Sequence, residues 1–227
     1  MSNLAKKSVD FYKNHSPRTS PVGKITIHHM AANMDPVECA KMHLRSDNAS
    51  ANYYIGTDGT IVYGVKENRR AWTSKSRKND NVAITIEVAN DEGGPNWHVS
   101  DKAYSALIDL CVDICKRYKI VLNWTGDETG TLTCHYMFTP TLCPGPYLKS
   151  KMPEIAKTVN NRLLYKLLNN DYEKEDTIIQ IDSNQYEKIM SKNSSSKKMF
   201  KMNLVLKYFI LLMFVAYFLY LNFYKLK

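Results

Sequence analysis

His135 and Cys143 stand eight positions apart in the stretch Cys134-His135-Tyr136-Met137-Phe138-Thr139-Pro140-Thr141-Leu142-Cys143-Pro144-Gly145-Pro146. An imidazole and a thiolate are ligand types that zinc takes, and catalytic zinc uses three protein ligands with a fourth position open. This stretch offers two, so a third ligand must come from elsewhere in a chain with six histidines. His28 and His29 end the β-rich run Lys24-Ile25-Thr26-Ile27. Successive strand side chains point to opposite faces, so one of the pair can enter a site and the other cannot. Glu87 is the odd residue in Val82-Ala83-Ile84-Thr85-Ile86-Glu87-Val88. A carboxylate there is costly to bury unpaired. It should face a polar cleft or a partner, and a general base for an attacking water is the catalytic role open to it.

The elements that must position these groups follow from pattern. Residues 1–23 read as a polar lead-in that ends in a turn region at Pro17, Pro21 and Gly23. A buried strand covers Lys24–His29. Asp35 and Pro36 start a helix that runs to about Arg45. Asn52–Gly56 and Ile61–Val65 flank Asp58-Gly59 as a hairpin. Asn81–Ala89 is another strand, and Ser100 begins an amphipathic helix with Tyr104, Leu107, Ile108, Cys111, Val112 and Cys115 on one face. Ile120–Leu122 is expected as a short strand, and about Tyr147–Leu168 as a final helix. The fold class expected is α/β, a single domain with a mixed central β-sheet flanked by helices.

The domain expected spans residues 1–168, followed by a polar linker at 169–202 and a transmembrane segment with a short basic tail at 203–227. Leu204–Tyr224 carries one charge, Lys207, and is long enough to cross a bilayer. Lysines are denser before this segment than after it, which places the domain on the cytoplasmic side by default. Met1–Ser16 holds no secretory signal. The net charge of +9 suits a polyanionic partner such as a wall carrying teichoic acids. No nucleic-acid-binding pattern accompanies it. Five cysteines make no disulfide framework. Cys39, Cys111 and Cys115 read as buried apolar residues, and Cys134, if in a strand, points away from the face its neighbour uses.

Ile27-His28-His29-Met30-Ala31-Ala32, Ser50–Thr60, Arg70-Ala71-Trp72, Ile84–Asn90 and His135 through Pro146 occur in this order. Together, over about Gly23–Leu164, they resemble the zinc amidase family that includes phage T7-type lysozymes, amidase endolysins and peptidoglycan recognition proteins. The resemblance implies His28, His135 and Cys143 as the zinc ligands, with His29 left as a neighbour. It implies Glu87 as general base and Thr141 as a residue that helps hold the oxyanion or the attacking water. Ala51 stands where some members place a catalytic Tyr, and Thr141 where some have Lys. Glu87 then carries the base role alone, and zinc supplies most of the oxyanion stabilisation. Trp72 and Trp97 are candidates for the groove wall or for the core.

The activity implied is hydrolysis of the amide between N-acetylmuramic acid and L-alanine in peptidoglycan, by a zinc-dependent amidase acting in phage lysis or entry. The partners expected are peptidoglycan and, through the C-terminal helix, a lipid membrane, with no nucleic acid and a monomeric catalytic domain. The location expected is membrane-associated, in an infected bacterium or a virion. Two alternatives are a membrane-anchored, non-catalytic peptidoglycan-binding module, and a membrane protein acting mainly through its apolar tail.

Overall fold

The computed structural model describes residues 1–179, with side chains to residue 165. Its strands are β1 (Lys7–Ser8), β2 (His15–Pro17), β3 (Lys24–His29), β4 (Tyr53–Ile55), β5 (Ile61–Tyr63), β6 (Arg69–Ala71), β7 (Ala83–Val88) and β8 (Leu132–Cys134). The helices are α1 (Pro36–Arg45), α2 (Arg77–Asp80), α3 (Asp101–Tyr118) and α4 (Gly145–Ile179), with a 3-10 turn at His135–Met137. Six strands form one mixed sheet in the order β1-β5-β4-β7-β3-β8, and β2 pairs with β6 separately. Within the six-stranded sheet neighbouring strands pair in parallel except at the β4–β5 hairpin, and the separate β2–β6 pair is antiparallel.

Burial on both sides explains the continuous apolar runs of β3 and β7. Ile25, Ile27, Ile84 and Ile86 pack into the same core as Leu107, Ile114, Leu148 and Ile155 of α3 and α4. Tyr54 packs with Cys39 and Ala40 of α1 on the opposite side. That second face also carries Thr26, His28, Thr85 and Glu87, because side chains alternate along a strand. Asp35 starts α1 by accepting N–H bonds from Val37 (2.8 Å) and Glu38 (3.1 Å) on Oδ1. Ser100 caps α3 in the same way through Ala103 (3.2 Å).

The lead-in is part of the domain, not a preamble to it. Val9 and Phe11 are buried beside Tyr54, and β1 extends the sheet. Arg18 donates from Nε to Glu67 O, from Nη1 to Asp80 O and Asn81 O, and from Nη2 to Arg69 O and Ala83 O, at 2.7–3.1 Å. A planar fork serves these carbonyls, and an ammonium with three donors cannot. Arg18→Ala should therefore cost about 3 kcal/mol or more in denaturant unfolding, and Arg18→Lys should recover only a minor part.

Glu67 is a second anchor, 5% exposed. It accepts from Tyr53 Oη (2.6 Å), both Arg117 Nη atoms (2.7 Å) and Tyr118 Oη (3.0 Å), and faces the Met1 ammonium at 3.2 Å. Burial pushes its carboxyl up, but the Arg117 and Tyr53 hydrogen bonds and the Arg117 charge outweigh this and hold it at about 2. The depressed value makes its contribution complete above the ordinary 4.5 and lost as pH falls through about 2. Unfolding free energy should drop across that window by up to about 3 kcal/mol from this group. In Glu67→Gln that part of the acid limb should be missing.

Three expectations need correction. Ile120–Leu122 is not a strand; the side-chain amide of Asn160 takes the Leu122 N–H and C=O (3.0 and 2.8 Å), and Leu132–Cys134 joins the sheet instead. The last helix starts at Gly145 and continues to Ile179, beyond Leu168. The membrane element is withdrawn from the fold class: among the described residues no helix is long and apolar enough to cross a membrane. Residues 204–224, on which that expectation rested, lie outside the described residues. The membrane-associated location and the lipid partner fall with it. By its internal contacts the chain divides into Met1–Leu167, which holds the candidate site residues, and Leu168–Lys227.

Candidate metal centre

The parallel strands β3, β7 and β8 bring their carboxyl ends to one edge of the sheet, where open α/β folds place their sites. His28 on β3 lies in register with Glu87 on β7, and Glu87 in turn with Tyr54 on β4. All three share the face opposite α3 and α4. His29 takes the other face, its ring edge-on to Trp97 at 5.3 Å. Cys134 ends β8 inside the core with Ile27, and the next residue, His135, turns out of the strand. Its ring lies 4.8 Å from that of His28, tilted by 55°.

Cys143 returns to this edge through backbone bonds. Its C=O accepts from Tyr136 N at 3.1 Å, and its N–H donates to Thr141 Oγ1 at 3.2 Å. The His29 N–H donates to Cys143 Sγ at 3.4 Å, and that sulfur lies 3.5 Å from His28 Nδ1. Gly145 lets the chain leave toward α4. Its φ is +83°, and a Cβ there would stand 3.1 Å from His29 Nδ1.

One ligand atom from each of His28, His135 and Cys143 lies within 4.8 Å of the others. With Zn–S about 2.3 Å and Zn–N about 2.0–2.1 Å, a tetrahedral site spaces its ligands about 3.3–3.7 Å apart, so a small contraction suffices. His28 Nε2 and His135 Nε2 are buried with no hydrogen-bond partner among the described residues. Burial holds His28 well below the usual imidazole range, with the neighbouring His135 adding to this. Burial, then the charge of Lys75, lowers His135. Both rings are thus neutral near pH 7, the form a metal binds. Burial raises the Cys143 thiol, and Glu87 adds to this, so the sulfur waits as a thiol that a cation would convert to thiolate. Two imidazoles and one sulfur at this spacing fit zinc.

Glu87 is 7% exposed, with Oε1 4.0 Å from His28 Nδ1. Burial raises its carboxyl to about 8. Thr141 is exposed and tied to Cys143. Trp97 packs edge-on against His29, which takes the other face, whereas Trp72 reaches Ser16 of β2, under Arg70. Sequence reasoning did not point to Tyr54, whose place beside Glu87 depends on strand register, or to Lys75, which lies in a loop without a pattern.

Residues 18–146 match the family model described as N-acetylmuramoyl-L-alanine amidase, and that span encloses His28, Glu87, His135 and Cys143. The chain belongs to this family. Its amidase domain has the same fold as several solved structures. PlyL is 16% identical with a TM-score of 0.55, covering 67% of this chain and 95% of PlyL. The PlyG catalytic domain is 16% identical with a TM-score of 0.56, covering 69% and 95%. Staphylococcus aureus hydrolase AmiA, solved with its ligand, is 15% identical with a TM-score of 0.55, covering 72% and 86%. No curated protein sequence matches this amidase-family chain.

Proposed function

We propose that this chain is a zinc-dependent amidase that cuts the bond between the lactyl group of N-acetylmuramic acid and the L-alanine of the stem peptide. The observation that carries the reading is the meeting of His28, His135 and Cys143 with Glu87 in register beside them, inside a domain of the amidase family. His28, His135 and Cys143 hold the metal. When bound, zinc supplies a Lewis acid for the scissile carbonyl and brings the acidity of water toward neutrality. Glu87 takes the proton of the attacking water and passes it to the leaving amine. Thr141 Oγ1 accepts the Cys143 N–H, which leaves its own O–H free to donate to a substrate oxygen. The resemblance to endolysins supports a place in phage lysis or entry.

Mass spectrometry of purified sacculi digested by the full-length protein tests the reading. Released stem peptides should carry a free L-alanine amino group, and the glycan strands should stay intact. Cleaved glycan, or binding without release, would sink it, the latter in favour of a binding module.

A further inference from the structure

Lys75 sits at the tip of a loop whose two neighbours are fixed. Ser74 is buried, with Oγ donating to Asp80 Oδ1 at 2.6 Å and accepting from Asn79 Nδ2 at 3.2 Å. Ser76 donates its N–H to Ser74 Oγ at 3.3 Å and accepts from Asn79 N at 3.2 Å. Between them Lys75 is exposed, with φ +60°, a left-handed conformation that favours glycine. The loop is pinned against the turn that carries His135. Thr139 Oγ1 donates to Ser74 O at 3.2 Å, and Thr139 N donates to His135 O at 3.3 Å. Lys75 is thus one residue from a direct hydrogen bond to the His135 turn. Among the described residues it forms no ion pair with a carboxylate. A rigid loop thus holds a strained lysine, with its charge uncommitted, at the rim of the candidate centre. Strained backbone of this kind is kept where the surroundings enforce it, and functional sites are where it clusters.

We propose that the Lys75 ammonium contacts the substrate at this centre and stabilises the negative charge that develops on the scissile carbonyl oxygen. Amide hydrolysis passes through a tetrahedral species whose oxygen becomes anionic, and a cation placed before reaction lowers that barrier without improving ground-state binding. The inference rests on the amidase reading. It makes Lys75 a residue of the reaction that no ligand pattern would reveal.

The test uses the zinc-loaded full chain and Lys75→Gly, Lys75→Gln and Lys75→Arg. Four quantities are read: kcat and KM on a soluble muramoyl peptide, affinity for its tetrahedral phosphonate analogue by calorimetry, and melting temperature. Glycine relieves the backbone and removes the charge. Lys75→Gly should therefore melt at or above the wild-type temperature, lose about tenfold or more in kcat with KM unchanged, and bind the phosphonate correspondingly more weakly. Lys75→Gln should lose the same activity, and Lys75→Arg should keep most of it. An active wild type with an equally active Lys75→Gly overturns the inference. So does a change confined to KM, which would assign the charge to a remote group of the substrate. A wild type that releases no amine defeats the amidase reading itself.

Discussion

Replacing Cys143 with Ala should strip the metal and abolish hydrolysis. The sulfur is the only soft donor of the cluster, and it is held from two sides, by the His29 N–H and by the Thr141–Cys143 turn. Alanine leaves two imidazoles, too few for a closed grip on zinc. Loss of a direct ligand should weaken zinc by more than the roughly 10–100-fold typical of outer partners. Hydrolysis should fall by about 10³ or more, since metal polarisation contributes several kcal/mol to the barrier. The fold itself should survive, because Cys143 is a member of neither apolar core cluster. Zinc should accordingly raise the melting temperature of the wild type and leave that of Cys143→Ala where it was.

Glu87→Gln should give the opposite separation, with metal kept and turnover lost. Glutamine matches the shape of glutamate but cannot carry a proton between water and amine. The loss expected is about 10²–10⁴ in kcat. A second effect follows from burial in the metal-free protein. The Glu87 carboxyl, raised from 4.5 to about 8, favours its neutral form in the fold. Its folded state therefore binds more protons than the unfolded chain between those values, and stability falls as pH rises through the window. Metal-free wild type and Glu87→Gln should melt alike at pH 4, and the wild type should melt lower at pH 9. Equal melting at both would remove the buried carboxylate from the account.

The parts of this fold that were legible are those written in local pattern. β3, β7 and α3 announce themselves because each buries a continuous run or a single face. The His28–His29 pair, Glu87, His135 and Cys143 stood out as polar or ligating residues in apolar or turn-rich settings, and the choice of His28 over His29 came from the family resemblance. β1, β2 and β6 did not, because two- and three-residue strands carry no period and depend on partners far away in sequence. Ile120–Leu122 misled for the converse reason: its side chains suit a strand, but Asn160, 38 residues on, takes its backbone. Lys75 was invisible because its importance lies in a backbone angle and in one hydroxyl bond from Thr139. Tyr54 was read as one residue of a hairpin, and only register sets it against Glu87.

The most direct measurement is a zinc titration of the metal-stripped full-length protein, reading new alanine amino groups released from purified sacculi. The rate should start near zero, rise in proportion to added zinc and level off at one equivalent per chain, the capacity of a single His28–His135–Cys143 centre. Full activity before zinc is added, or no activity after it, would contradict the account.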